Sequence, residues 1–260
     1  MRLFCIPLFS NKTAFYCQHI LTRQSYLAKI TSYTAKKWES LKDVKKSRWK
    51  VRLYVIGQQL LDKTDYQESF LKGVPIMERK VELRSKELIP FIYPSTVTSS
   101  NEAAMSLDQL VTNRLPYHRK YMIYSALWVP LACCFTIVPI IPNIPLFYNL
   151  FRLYSHYKAY KGAQHLRYIL DTSRLSPTDS DVLNKIYSST KIKTQIIDEN
   201  LIDSIAKAFD DTPGLATEIK RARQQILEKI KKKNEEMNKS GEVNKHRIHV
   251  KAAETGIKKE

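Results

Sequence analysis

Glycine is scarce. Six residues in 260 leave nothing from which to assemble a glycine-rich phosphate cradle. No Gly-x-Ser-x-Gly or His-Glu-x-x-His pattern is present either. On its motifs the chain reads as a non-enzyme with no cofactor and no metal. The four cysteines, Cys5, Cys17, Cys133 and Cys134, form no Cys-x-x-Cys pair and no regular framework. They read as free buried or membrane-embedded thiols, with a Cys5–Cys17 bridge the one pairing left open. Acidic residues are absent from the first stretch: Glu39 is the first, preceded by Arg2, Lys12, Arg23, Lys29, Lys36 and Lys37. That is the composition of a mitochondrial transit region, or of a plain basic arm. Over the whole chain 43 Lys and Arg face 25 Asp and Glu, a net charge of +18, which favours anionic partners. No RNA-recognition, zinc-finger or helix-turn-helix pattern accompanies the charge, so the expected partners are anionic lipid headgroups and not nucleic acid.

Charge itself is missing from one segment. Tyr121–Phe151 runs thirty-one residues without an Asp, Glu, Lys, Arg or His, and a bilayer core needs only about 20 apolar residues in a helix. The run carries Pro130, Pro139, Pro142 and Pro145. Each removes a backbone donor and disfavours a helical residue before it. Arg114, Arg119 and Lys120 precede the run, and Arg152, Lys158, Lys161 and Arg167 follow it. With positive charge on both flanks there is little asymmetry to orient a single pass. The expectation is a mainly α fold built on a membrane-embedded helical hairpin, with one proline-broken transmembrane helix as the alternative and a buried helix pair in a soluble protein as the third reading. Its turn falls at Pro139, Pro142, Asn143 and Pro145. Peripheral basic helices and a disordered C-terminal tail complete it. Because the run holds no Asp, Glu, Lys, Arg or His, it is a poor candidate for a complete ion pathway.

Five regions follow: a basic, transit-like arm over 1–37, a mostly helical soluble region over 38–118, the membrane segment with its return helix over 119–170, a polar helical region over 171–239, and a disordered basic tail over 240–260. Helices are expected from Thr13 to Ile30 and from Trp38 to Leu61, and a short strand within Lys80–Tyr93. Ser99-x-x-Glu102 is a capping-box pattern opening a helix expected to end near Leu115–Pro116. Leu146–Leu170 has helical spacing. Ser155, Ala159 and Ala163 recur every four residues beside Gly162, a row of small residues that admits a second helix closely. Trp128 and Arg152 are placed at the membrane edge. Arg152 and His156, one turn apart, read as solvated or headgroup contacts. His246-Arg-Ile-His249 has ligand spacing but lies in the tail with no cysteine, and is not taken as a metal site. Ser176-Pro177 to Ser180 reads as a linker. Further helices are expected over Val182–Tyr187, Asp198–Phe209 and Leu215–Asn238.

Several stretches together carry a resemblance. They are Met1-Arg-Leu-Phe4, Thr13-Ala-Phe-Tyr-Cys-Gln18, Trp38 through Trp49 to Gly57-Gln-Gln-Leu-Leu-Asp62, and Ile92-Tyr-Pro94. The strongest is Pro139–Ala163, with Pro142-Asn-Ile-Pro145, Phe147-Tyr148, Arg152, Tyr154-Ser155, Ala159 and Gly162-Ala163. In this order and spacing, Met1–Leu170 resembles the mitochondrial potassium–proton exchange-related family of small inner-membrane proteins. The resemblance implies an inner-membrane protein that is a component or regulator of potassium–proton exchange, supporting potassium homeostasis and matrix volume. It implies partners among other inner-membrane proteins and supplies no ion-binding residue. The competing expectation is an inner-membrane scaffold or assembly protein with no role in ion transport, suggested by the basic arms and the charged helix after Leu215.

Overall fold

The computed structural model describes residues 1–10, 12–18, 64–77, 87–134, 144–188, 196–212 and 214–239. The chain divides into two compact units, Met1–Gln18 with Tyr66–Glu260, and His19–Asp65. The second lies almost entirely outside the described residues, and so do the helix expected over Trp38–Leu61 and the tail over 240–260.

The first unit is built on a four-stranded sheet. Strand β1 (Arg2–Phe9) pairs antiparallel with β2 (Lys12–Gln18) and parallel with β3 (Ile89–Tyr93), which pairs parallel with β4 (Leu175–Asp179). The order is β2-β1-β3-β4. Strand β1 is interior, and its sequence Leu-Phe-Cys-Ile-Pro-Leu shows why. A strand covered on both faces reads as a continuous apolar run instead of an alternation, and Leu3 through Leu8 are all buried. Pro7 sits at the register shift against β2, where a missing backbone donor is tolerated.

Helices cover both faces. On one lie α1 (Tyr66–Gly73), α2 (Ser100–Cys134) and α3 (Ile144–Asp171). Their Phe70, Leu71, Leu107, Val111, Ala163 and Leu166 share a core with Leu3, Cys5, Phe15 and Phe91. On the other lie α4 (Asp181–Tyr187), α5 (Glu199–Ala208) and α6 (Leu215–Lys239). There Leu183, Ile202, Ile205, Ile219 and Ile226 pack with Phe4, Ile6 and Leu8. The Tyr187 hydroxyl ties this layer to the sheet by donating to the Pro7 carbonyl at 3.0 Å.

The fold is therefore α/β, not a mainly α membrane-embedded hairpin. No helix among the described residues is long and apolar enough to cross a membrane. The cause is how the uncharged run is divided. One part ends α2 and another begins α3, and each helix continues into charged sequence, so neither presents an unbroken apolar length of about 20 residues. The two helices do pack on each other as a hairpin, but the first half of α2 and the second half of α3 cover the sheet.

Local expectations fared unevenly. The capping box forms: Ser99 N–H donates to Glu102 Oε2 at 2.9 Å, and Glu102 N–H to Ser99 Oγ at 3.2 Å. The helix it opens does not end at Pro116. It continues through Pro116 and Pro130 to Cys134, because packing along α3 outweighs the lost backbone bonds and intrinsic propensity. The helix expected from Thr13 is the strand β2 through Gln18, and the residues beyond are not among those described. Arg2–Phe9, within the arm read as transit-like, forms the interior strand. The stretch read as a linker at Ser176–Asp179 is part of β4, at the sheet edge where Pro177 breaks no inner ladder. Cys5 and Cys17 are free thiols, each opposite another residue in the ladder.

Candidate functional site

The sheet-facing positions of α1, α2 and α3 are apolar, yet a polar cluster is closed between these helices. Glu68 comes from the first turn of α1, where a carboxylate suits the positive end of the helix dipole. His118 comes from α2; Arg152, Ser155 and His156 from α3. Glu68, His118, Ser155 and His156 are all buried. The close approach of α1 to α3 is made possible by Gly162: a Cβ there would stand 2.0 Å from the Leu71 carbonyl oxygen. Buried Ala159 and Ala163 extend the same small-residue face.

The hydrogen bonds form one line. The Arg152 guanidinium donates to both Glu68 oxygens, Nη1 to Oε1 at 3.0 Å and Nη2 to Oε2 at 3.4 Å. Ser155 Oγ donates to Glu68 Oε1 at 2.6 Å. Arg152 Nη2 also lies 2.9 Å from His156 Nε2. Arginine has donors only, so His156 Nε2 accepts and the proton of that ring resides on Nδ1. It faces His118 Nδ1 at 3.0 Å, which must accept. The His118 proton is then on Nε2, a buried nitrogen with no hydrogen-bond partner among the described residues. Aromatic rings wall the pair: Tyr121 stacks on His156 with centroids 5.7 Å apart, and Tyr117 meets it edge-on at 6.2 Å.

Electrostatics follow the burial. Desolvation pushes the Glu68 carboxyl up, but the Ser155 hydrogen bond and the cations Arg152 and Lys72 outweigh it, leaving it ionised and below its ordinary value. Desolvation holds both histidines well below theirs, with Arg152 adding to the effect on His156. Burial likewise lowers Lys72. The line is thus a carboxylate, a guanidinium and two neutral imidazoles. One ligand atom from each of Glu68, His118 and His156 lies within 4.8 Å of the others. Such a set can hold a cation or relay a proton.

Arg152 and His156, read as exposed contacts, are part of this buried line instead. The helix face toward α1 and α2 buries His156 and leaves Arg152 partly exposed. Trp128 is 56% exposed on α2 and takes no part. Pro145 lies in α3, while Pro139, Pro142 and Asn143 lie outside the described residues, as do His246 and His249. Sequence reasoning missed Glu68 altogether and passed over His118. Nothing in their neighbourhoods marks them, since the partners are 84 residues apart for Glu68 and Arg152 and 38 for the two histidines. A separate polar cleft of about 620 Å³, lined by Lys12, Thr13, Gln67, Glu102, Gln109 and Asn113 among others, does not include the cluster.

A mixed sheet between two helical layers, with an ionisable line sealed among three helices, defines an α/β protein with an internal polar site. The chain belongs to the mitochondrial K+–H+ exchange-related family, whose model matches residues 2–170 and so includes every member of the cluster. Membership ties it to the mitochondrion and relates it to potassium–proton exchange. An uncharacterised protein of Saccharomyces cerevisiae is 28% identical over 200 residues, 65% of this chain and 62% of the relative. An uncharacterised protein of Schizosaccharomyces pombe is 24% identical over 188 residues, 71% of this chain and 82% of the relative. The chain thus spans about three fifths of the length of the budding-yeast protein. No solved structure matches it.

Proposed function

We propose that this protein is a non-enzymatic component or regulator of potassium–proton exchange at the mitochondrial inner membrane, supporting potassium balance and matrix volume. The observation that carries the reading is the family match over residues 2–170. The surface of the helical hairpin supports the inner-membrane part. Tyr121, Tyr124, Leu127, Trp128 and Leu131 on α2 are exposed, as are Tyr148, Leu150 and Tyr154 on α3. Exposed Arg119 and Lys120 adjoin them. Aromatic rings next to cations suit the water–lipid interface of an anionic membrane, and peripheral contact of this kind requires no crossing. Other inner-membrane proteins are the further partners of this reading, because the exposed apolar surface is larger than scattered single residues would make it.

Exchange removes excess matrix potassium, and potassium left behind draws in water. Isolated, de-energised mitochondria lacking this protein are therefore expected to swell abnormally slowly in potassium acetate, with swelling in ammonium acetate unchanged. Normal potassium-dependent swelling would overturn the proposal. Ribosomal or assembly-factor partners on affinity purification, without an ion phenotype, would favour a scaffold instead.

A further inference from the structure

We propose that Glu68, His118 and His156 form a binding site for a divalent transition-metal ion of the zinc class, held closed by Arg152 acting as an internal cation. Two neutral imidazoles and a carboxylate, from three different helices, converge with ligand atoms within 4.8 Å of one another. Two histidines and a glutamate are a complete protein ligand set for zinc, with a fourth position left for water or another ligand. Imidazole nitrogens also favour zinc over magnesium or calcium.

The apposed Nδ1 atoms of the histidines, at 3.0 Å, are the centre of the argument. Two lone pairs cannot face each other at that distance, so a proton stands between them. A metal ion bonded to both nitrogens at about 2.0–2.1 Å replaces that bridge after only a small separation of the rings. The proton count balances by tautomerism: the His156 proton moves from Nδ1 to Nε2, His118 keeps its proton on Nε2, and none is released.

Arg152 decides occupancy. Its guanidinium holds the carboxylate a metal needs and donates to His156 Nε2. Once His156 carries its proton on Nε2, that nitrogen no longer accepts, and the Arg152 bond is lost. Metal and guanidinium are therefore mutually exclusive. The exchange has a route, because the Arg152 side chain is 23% exposed while that of Glu68 is 4% exposed, so the arginine can turn outward as the ion enters.

Full-length protein stripped with chelator and titrated with zinc alone tests this. About one zinc per chain is expected, retained through dialysis, with Arg152→Gln binding at least tenfold more tightly. Glu68→Gln and His118→Gln should each lose the ion. The His246→Ala/His249→Ala pair should keep it. Loss in that tail variant together with retention in His118→Gln would overturn the proposal, as would no uptake by both wild type and Arg152→Gln, or equal affinity in the two. Cobalt(II) added to wild type and Arg152→Gln gives a reading that does not depend on the folding of ligand-deficient variants: intense visible bands of a four-coordinate ion support the site, and the weak bands of hydrated cobalt count against it.

Discussion

His118 Nδ1 and His156 Nδ1 lie 3.0 Å apart inside the helical layer, and the Arg152 guanidinium on the far side of His156 dictates which ring carries the shared proton. Both rings are neutral there, since burial and nearby positive charge disfavour imidazolium. Their folded values fall to about 4, against about 6.5 in an unfolded chain.

That difference sets a pH dependence. Between about 6.5 and 4 the unfolded chain binds more protons than the folded one, so stability rises with pH across this window and is lost as pH falls through it. The urea midpoint is expected to drop from pH 7 to pH 5. The drop should be smaller in a His118→Gln/His156→Gln variant, which lacks the two buried imidazoles. Equal slopes in the two proteins would contradict the buried-neutral assignment.

Removing one charge of the Glu68–Arg152 pair should cost more than removing both. Glu68→Ala leaves a guanidinium and the Ser155 hydroxyl without their acceptor, an expected loss of about 2–4 kcal/mol. Arg152→Met added to it removes the orphaned charge and should restore part of that stability. A double-mutant cycle from denaturant unfolding measures the coupling. Simple additivity would mean that the pair does not act as a unit.

Gly162→Ala sets a methyl group against the Leu71 carbonyl, 2.0 Å away before relaxation. Backbone cannot rotate aside as a side chain can, so α1 must shift away from α3. The expected cost is about 1–3 kcal/mol, with weaker Glu68–Arg152 coupling as the accompanying sign. Gly73, with open space where its Cβ would be, is the control: Gly73→Ala should leave the coupling intact.

Burial pushes the Cys5 and Cys17 thiols up to about 12, so almost no thiolate exists at neutral pH. Neither should react with iodoacetamide in the native protein, and both should react in urea, as read by peptide mapping. Rapid native labelling of either would show that β1 and β2 open readily.

Some features that depend on residues a few positions apart are legible in the sequence. The Ser99–Glu102 capping box needs only residues three apart, and the small-residue row of α3 repeats within one helix, so both stand in the sequence. Gly214, at a φ of 91°, occupies a conformation that favours glycine. The β1 strand escaped notice because burial on both faces erases alternation, and Pro7 made the run look interrupted. The uncharged run reads as a membrane-embedded hairpin because hydropathy does not report that both of its helices extend into charged sequence and cover a sheet.

By itself the sequence determined a basic protein, its mitochondrial exchange-related family, its main helices and a chain without recognisable catalytic motifs, since those properties reside in composition and short-range pattern. Only the tertiary structure decided that the proline-rich helices cover a mixed sheet, and that Glu68, His118, Arg152 and His156 form one line. The physical reason is range. A buried ionisable group is stable only where a partner from elsewhere in the chain meets it, and no local pattern encodes that meeting.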